Sequence, residues 1–345
     1  MANQPTRVER VSVIGSGSWG TAMAQRIAMK GYRVRMWARR QELVDEINET
    51  RLNLRYTNEY PLHENIKPTT SLEEAAAAPI IVMAVPSKGF REISRKLGDY
   101  LQPDQILLSA TKGIEPHTYL RMSEILKEET ACLKVGAISG PNLALEVMAN
   151  HPTATIIASK FDEVVEAGVR VFNHGTFRAY GSHDLIGVEL AGALKNVLAL
   201  ASGLVTGLGF EANTKGFLIS RGLAEIIRLG RHFDVDPLTI SGIAGVGDIV
   251  VTCSSTKSRN FSVGKRIGEG ESITDILGSM HQVAEGVRTT ESAFELARKF
   301  NEEMPIFYTM YQILYQGLSI EDAKAQLLGR PMHFEHSKRI IVDAV

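Results

Sequence analysis

Lys195 stands in GVELAGALKNVLALA, residues 187–201, where Glu189 is the only other charged side chain. Helical spacing puts Gly187, Ala191 and Lys195 on one face, with Gly192 and Asn196 beside them. Small neighbours leave room for a ligand next to the ammonium. A buried lysine needs a partner, so a carboxylate or a substrate anion is expected close by. Such an ammonium can stabilise charge developing on a carbonyl oxygen and deliver a proton to it. A second lysine, Lys112, lies in ATKG at 110–113, directly after a strand-like run. AGVGD at 244–248 offers the carboxylate of Asp248 beside a glycine-rich turn. Ser258, Arg259 and Asn260 then open a helical stretch, a grouping suited to gripping a phosphate, with arginine giving a two-pronged contact.

A different chemistry is written near the start. GSGSWG, residues 15–20, follows an apolar run and opens a helix. Gly15 suits a tight turn out of a strand, Gly17 a close backbone approach to a pyrophosphate, and Gly20 close packing of helix on strand. The helix start then presents free N–H groups to the phosphates. Past the second strand come Arg39 and Arg40, with no acid before Glu42. An NAD-only site carries an acid in that zone. Two arginines favour a 2′-phosphate, so the cofactor is read as NADP or NAD.

These residues need a scaffold, and the chain supplies an alternating one. Strands are expected over 8–14, 32–37, 79–85, 105–110, 135–138, 153–158 and 177–180, with helical stretches after most of the early ones. That alternation implies crossover connections and a mostly parallel, Rossmann-type sheet. Apolar runs without alternation, such as residues 80–83, suit strands buried on both faces. From residue 184 the pattern is helical almost to the end. The expected fold class is α/β: a dinucleotide-binding domain, residues 1–185, followed by an all-α substrate domain, residues 186–345. The helix over 184–206 reads as a buried core helix that joins them.

The chain has 345 residues, which suits two domains. Hydrophobic residues make up 44% and the net charge is −1, which excludes a disordered chain and one that binds nucleic acid through bulk charge. The two cysteines, Cys132 and Cys253, build neither a disulfide framework nor a metal centre and read as buried thiols. His333 and His336 have ligand chemistry but no second cluster, so no metal site is expected. No secretory signal is seen, and the apolar runs fall short of a membrane span, so a cytoplasmic protein is expected.

Taken in order, GSGSWGTA, VPS, ATKG, ISGP, the stretch 187–196, RGLAE at 221–225, GD at 247–248, SRN at 258–260 and VAEG at 283–286 closely resemble the bacterial NAD(P)-dependent glycerol-3-phosphate dehydrogenase family. The resemblance covers essentially the whole chain. It implies reduction of dihydroxyacetone phosphate to sn-glycerol 3-phosphate, which feeds glycerophospholipid synthesis, by a homodimer. By position it makes Lys195 the proton donor and acceptor. It puts Lys112, Gly140, Asn142, Lys195, Asp248, Ser258, Arg259 and Asn260 on substrate. It puts Ser18, Trp19, Arg39, Arg40, Lys112, Ala144, Arg259, Val283 and Glu285 on the cofactor, beside the fingerprint glycines. Asn142 stands where Thr or Ser is common in the family, and Arg39 where some members carry His. Two alternatives are a keto-acid or sugar-acid reductase of the same architecture and a dinucleotide-sensing regulator. The phosphate-suited cluster at 258–260 argues against the first. The lack of a basic recognition helix argues against the second.

Overall fold

The computed structural model describes residues 9–280 and 284–330. Val283, His333 and His336 lie outside the described residues. Eight strands form one sheet: β1 (Arg10–Ile14), β2 (Arg33–Trp37), β3 (Ile66–Thr69), β4 (Ile80–Met83), β5 (Ile106–Ser109), β6 (Lys134–Ser139), β7 (Thr153–Ser159) and β8 (Phe177–Ser182). Their order is β3-β2-β1-β4-β5-β6-β7-β8. Every pairing is parallel except β6 with β7. The order reverses between β1 and β4, and a crevice at such a switch point is where open α/β sheets bind ligands.

The central strands are apolar because both of their faces are covered. All residues of β4 and β5 are buried. Val13 and Val82 face one core, shared with helix Ser18–Met29, while Ile81 and Met83 face the other, shared with Phe90 of helix Ser87–Gly98. β3 is the strand absent from the sequence expectation. It is four residues long, carries Pro68, and pairs on one side only, where a missing N–H costs no ladder bond.

Helix Leu185–Gly207 begins three residues after β8, and the Asp184 carboxylate caps it by accepting from Gly187 N at 2.8 Å. It meets the length and hydropathy of a membrane span, with mean hydropathy 1.5 over its most apolar window, but 94% of that window is buried. Its lack of polarity is that of a core helix. Helices Ala212–Gly230, Asp248–Ser254, Arg259–Gly268, Glu285–Lys299, Pro305–Tyr315 and Ile320–Leu328 surround or extend from it. The run 237–254 also passes the span test, but it is broken near Gly242 and is only 39% buried.

The segment between β5 and helix Met122–Glu129 ties the sheet to the helices. It carries Lys112 and then sends Ile114, 3% exposed, into the apolar cluster of the helical half. Ser292 Oγ donates to Ile114 O at 3.0 Å. His117 and Tyr119 take φ of 67° and 61°, a tight path that bends the chain back toward the sheet. Arg121 then reaches Glu189 at 2.6 Å, and Ser123 N and Oγ donate to the same carboxylate at 2.8 and 2.6 Å. Burial pushes the Glu189 carboxyl upward, against the pull of Arg121.

Candidate active site

The glycine loop has the shape that a pyrophosphate needs. Gly15 has φ of 123°, and a Cβ there would lie 2.6 Å from Ala84 O, so no other residue fits without strain. Gly17 is the opposite case, with nothing within 4 Å of an added Cβ, so the backbone is open on that side. A Cβ at Gly20 would overlap Gly15 O, which is why the helix can seat directly on the turn. Helix Ser18–Met29 has no side-chain cap and no acid in its first turn. Its first N–H groups therefore retain their capacity for an anion. Asn53 Nδ2 braces the loop from behind, donating to Ser16 O at 2.9 Å and to Thr21 Oγ1 at 2.8 Å. The loop fits a dinucleotide phosphate. Trp19, half-buried, packs on the core beside it, and Ala144 starts the short helix Ala144–Met148, whose core face packs on the same cluster.

Arg39 follows β2 on the surface, and Arg40 precedes the first turn of helix Gln41–Thr50. Arg39 is near enough to Glu92 of helix Ser87–Gly98 to help lower that carboxyl, after the larger effect of Lys96. The arginines thus border the β2 side of the crevice, where the adenosine half of a dinucleotide belongs. Arg39→Asp is expected to shift cofactor preference from NADPH toward NADH by about tenfold or more, the worth of one hydrogen bond to a charged group. Fluorescence titration of wild type and variant with both cofactors reads that ratio, and an unchanged ratio would place the 2′ site elsewhere.

The lysines converge on one carboxylate. Asp248 is 1% exposed, and its Oδ1 accepts from Lys195 Nζ at 2.5 Å while Oδ2 accepts from Lys112 Nζ. Lys112 also donates to Gly140 O at 3.1 Å, which joins the ends of β5 and β6. Thr252 Oγ1, one helical turn after Asp248, is the other partner of Lys195 at 2.5 Å. Burial is the main force on Lys195 and lowers its affinity for a proton. Asp248 pulls the other way, Lys112 adds to the lowering, and the ammonium is brought down to about 8. The burial that depresses Lys195 pushes the neighbouring Cys253 thiol up to about 12, which makes it inert. A π-helical turn, Ile243–Gly247, with Gly247 N bonded to Gly242 O at 3.1 Å, delivers Asp248 to this point.

The phosphate-type cluster is assembled at the start of the next helix. Ser258 caps helix Arg259–Gly268 by accepting from Phe261 N at 3.3 Å. Arg259 is the first residue of that helix, and burial lowers its proton affinity while Glu285 offsets the effect. Asn260 donates to Asn196 Oδ1 at 2.9 Å and accepts from Gly286 N at 2.9 Å. The cluster therefore sits beside Lys195 and Asn196.

The comparisons agree with this geometry. Profiles described as NAD-dependent glycerol-3-phosphate dehydrogenase N-terminus and C-terminus match residues 10–165 and 184–325. Glycerol-3-phosphate dehydrogenase [NAD(P)+] of Macrococcus caseolyticus is 42% identical over 93% of this chain and 98% of its own length. That of Shouchella clausii is 43% identical over 95% of this chain and 98% of its own. The chain belongs to the NAD-dependent glycerol-3-phosphate dehydrogenase family. The crystal structure of the Coxiella burnetii glycerol-3-phosphate dehydrogenase superposes with a TM-score of 0.89 at 35% identity, covering 93% of this chain and 99% of that one. Membership makes the chain an NAD(P)-dependent oxidoreductase that interconverts dihydroxyacetone phosphate and glycerol 3-phosphate.

Within this dehydrogenase the expected site residues fall into three groups. Lys112, Gly140, Lys195 and Asp248 are linked by direct bonds. Ser258, Arg259 and Asn260 form the adjoining helix start, with Glu285 close to Arg259. Asn142 bonds to the sheet beside Gly140: its amide donates to Ala154 O at 2.9 Å and accepts from Thr155 Oγ1 at 3.1 Å, both on β7. Glu285 accepts from Ser87 N at 3.1 Å and from Ser87 Oγ, spanning from the helical half to the strand-β4 edge of the crevice. Thr252 was not among the expected residues; its spacing of four from Asp248 on a helix was the available signal. Among the described residues no group of three metal-binding side chains occurs.

Proposed function

We propose that Lys195 is the proton donor of ketone reduction and the proton acceptor of the reverse reaction. The observation that carries this reading is the Lys195–Asp248–Lys112 bridge at the ends of β5 and β6, with Lys195 and Asp248 buried. The loop at Gly15, Gly17, Ser18, Trp19 and Gly20, with Arg39 and Arg40, would hold NAD(P), and Ala144, Val283 and Glu285 complete that set. NADPH bound there supplies the hydride for C2 of dihydroxyacetone phosphate. As the C2 oxygen gains charge, the Lys195 ammonium stabilises it and gives it a proton, and the vacated amine takes another from solvent. Asp248 fixes the direction of that ammonium, and Lys112 adds a second positive charge. Arg259, with Ser258 and Asn260, holds the phosphate away from the reacting carbon, so that binding there orients the ketone.

Residues 1–185 form the dinucleotide unit and 186–345 the substrate unit in this reading. A homodimer fits it, because the helical half leaves Phe217 63% and Leu238 76% exposed. So does a reducing, cytoplasmic setting, since both cysteines are free thiols. Glycerol 3-phosphate made there would serve phospholipid synthesis.

Mixing the protein with NADPH and dihydroxyacetone phosphate and following the nicotinamide absorbance tests the reaction itself. Arg259→Ala tests the grip. It is expected to raise KM for dihydroxyacetone phosphate by about tenfold to a hundredfold, the range of a hydrogen bond to a charged group. Unphosphorylated dihydroxyacetone should suffer far less. Equal losses on both substrates would take Arg259 off the phosphate.

A further inference from the structure

The helix that carries Lys195 and the helix that carries Arg259 run side by side in the same direction, in a fixed register. Asn196 meets Asn260 through a hydrogen bond of 2.9 Å between residues 64 apart in the chain. The same offset recurs at each following turn, where Gly264 lies against Leu200 O and Gly268 against Leu204 O. From the other side Gly203 lies against Phe261 O and Gly207 against Lys265 O. At all four glycines an added Cβ would overlap the facing carbonyl oxygen. Backbone therefore touches backbone, as in the small-residue crossings that let helices approach most closely. At the top of the pair Gly286 closes the contact, since a Cβ there would stand 2.7 Å from Asn196 O.

We propose that this glycine contact is a ruler for substrate length, with Gly264 and Gly268 as specificity-determining positioning residues. The constant register brings Arg259 level with Lys195, so the gap between the helices sets the distance from proton donor to phosphate grip. Neither glycine touches substrate. Each acts by holding its helix at backbone contact distance, a spacing that no side chain can reproduce. A three-carbon phosphate ester has one separation between ketone and phosphate, and a rigid gap selects for it. The inference rests on the proposed roles of Lys195 and Arg259.

Gly264→Ala and Gly268→Ala are to be assayed with NADPH on dihydroxyacetone phosphate, on dihydroxyacetone, and on a ketose phosphate one carbon longer. The readout is the ratio of kcat/KM for the phosphorylated three-carbon ketone to that for each of the others. This ratio does not depend on how much of a sample is folded, so a structural defect alone leaves it unmoved. For Gly264→Ala it is expected to fall by about tenfold or more, within what a 1 Å misplacement costs, and chiefly through KM. Gly268→Ala, at the last residue of its helix where the chain can yield, is expected to show a smaller fall in the same direction. The longer phosphate should gain relative to dihydroxyacetone phosphate in both. Ratios equal to wild type in both variants overturn the ruler. A wild-type enzyme that does not favour the phosphorylated ketone defeats instead the reading on which it rests.

Discussion

Lys195→Ala is expected to abolish ketone reduction while NADPH still binds. Loss of a general acid typically costs about 10²–10⁴-fold in rate, and loss of charge stabilisation at the C2 oxygen adds to it. The wild-type pH profile belongs to the same prediction. Lys195 must be protonated to act as the acid, and its affinity for a proton is brought down to about 8, chiefly by burial. Reduction should therefore be at full rate below that pH and fall about tenfold per unit above it, while the oxidative direction rises through the same range. The kcat/KM profile reads the free enzyme and is the one to compare. A variant with near-native kcat, or a profile flat through pH 8, would remove Lys195 from the proton-transfer role.

Asp248→Asn should be nearly as damaging, for a different reason. The substitution keeps the shape but leaves the buried Lys195 ammonium and the half-buried Lys112 ammonium facing an uncharged amide. Breaking a buried ion pair from one side costs about 3–5 kcal/mol of stability. The protein relieves part of that cost by releasing a proton from Lys195, whose affinity then drops further. At neutral pH the acid is missing, and kcat/KM for reduction is expected to fall by about 10²-fold or more. Acidification should restore part of the activity of Asp248→Asn and none of that of Lys195→Ala. Rate measurements on both variants between pH 8 and pH 6 separate the two. If acid rescues neither, Asp248 does more than hold the charge on Lys195.

The residues that could be read from the sequence are those whose chemistry is local. Gly15, Gly17 and Gly20 announce themselves by spacing, because the turn, the open backbone and the helix seat all lie within six residues. Lys195 was legible because a charge in so apolar a helix is anomalous, and Asp248 and Lys112 because each ends a recognisable run. That the two lysines share the Asp248 carboxylate was not legible, since the contacts join residues 53 and 136 positions apart. The amides behaved likewise. Asn142 and Asn260 have donors and acceptors that suit a substrate, but the bonds that orient them, from Asn142 to β7 and from Asn260 to the two neighbouring helices, were not legible. An amide's direction is set by tertiary neighbours, which a pattern of residue types does not contain. β3 escaped because Pro68 and Lys67 erase the strand signal at a sheet edge. Thr252 escaped because a lone threonine on a helix carries no anomaly.

The segment that carries Lys112 belongs to two cores at once. It leaves β5, buries Ile114 among the helices, and returns to the sheet side with Arg121 still holding Glu189. Neither half can open without exposing apolar surface that the other half covers. Unfolding is then expected to be a single cooperative event in this region, with amide protons on both sides protected by the same free energy in hydrogen exchange. The relative placement of Lys112 and Lys195 draws on the stability of the whole molecule, so any lesion that loosens either half is felt at that lysine pair.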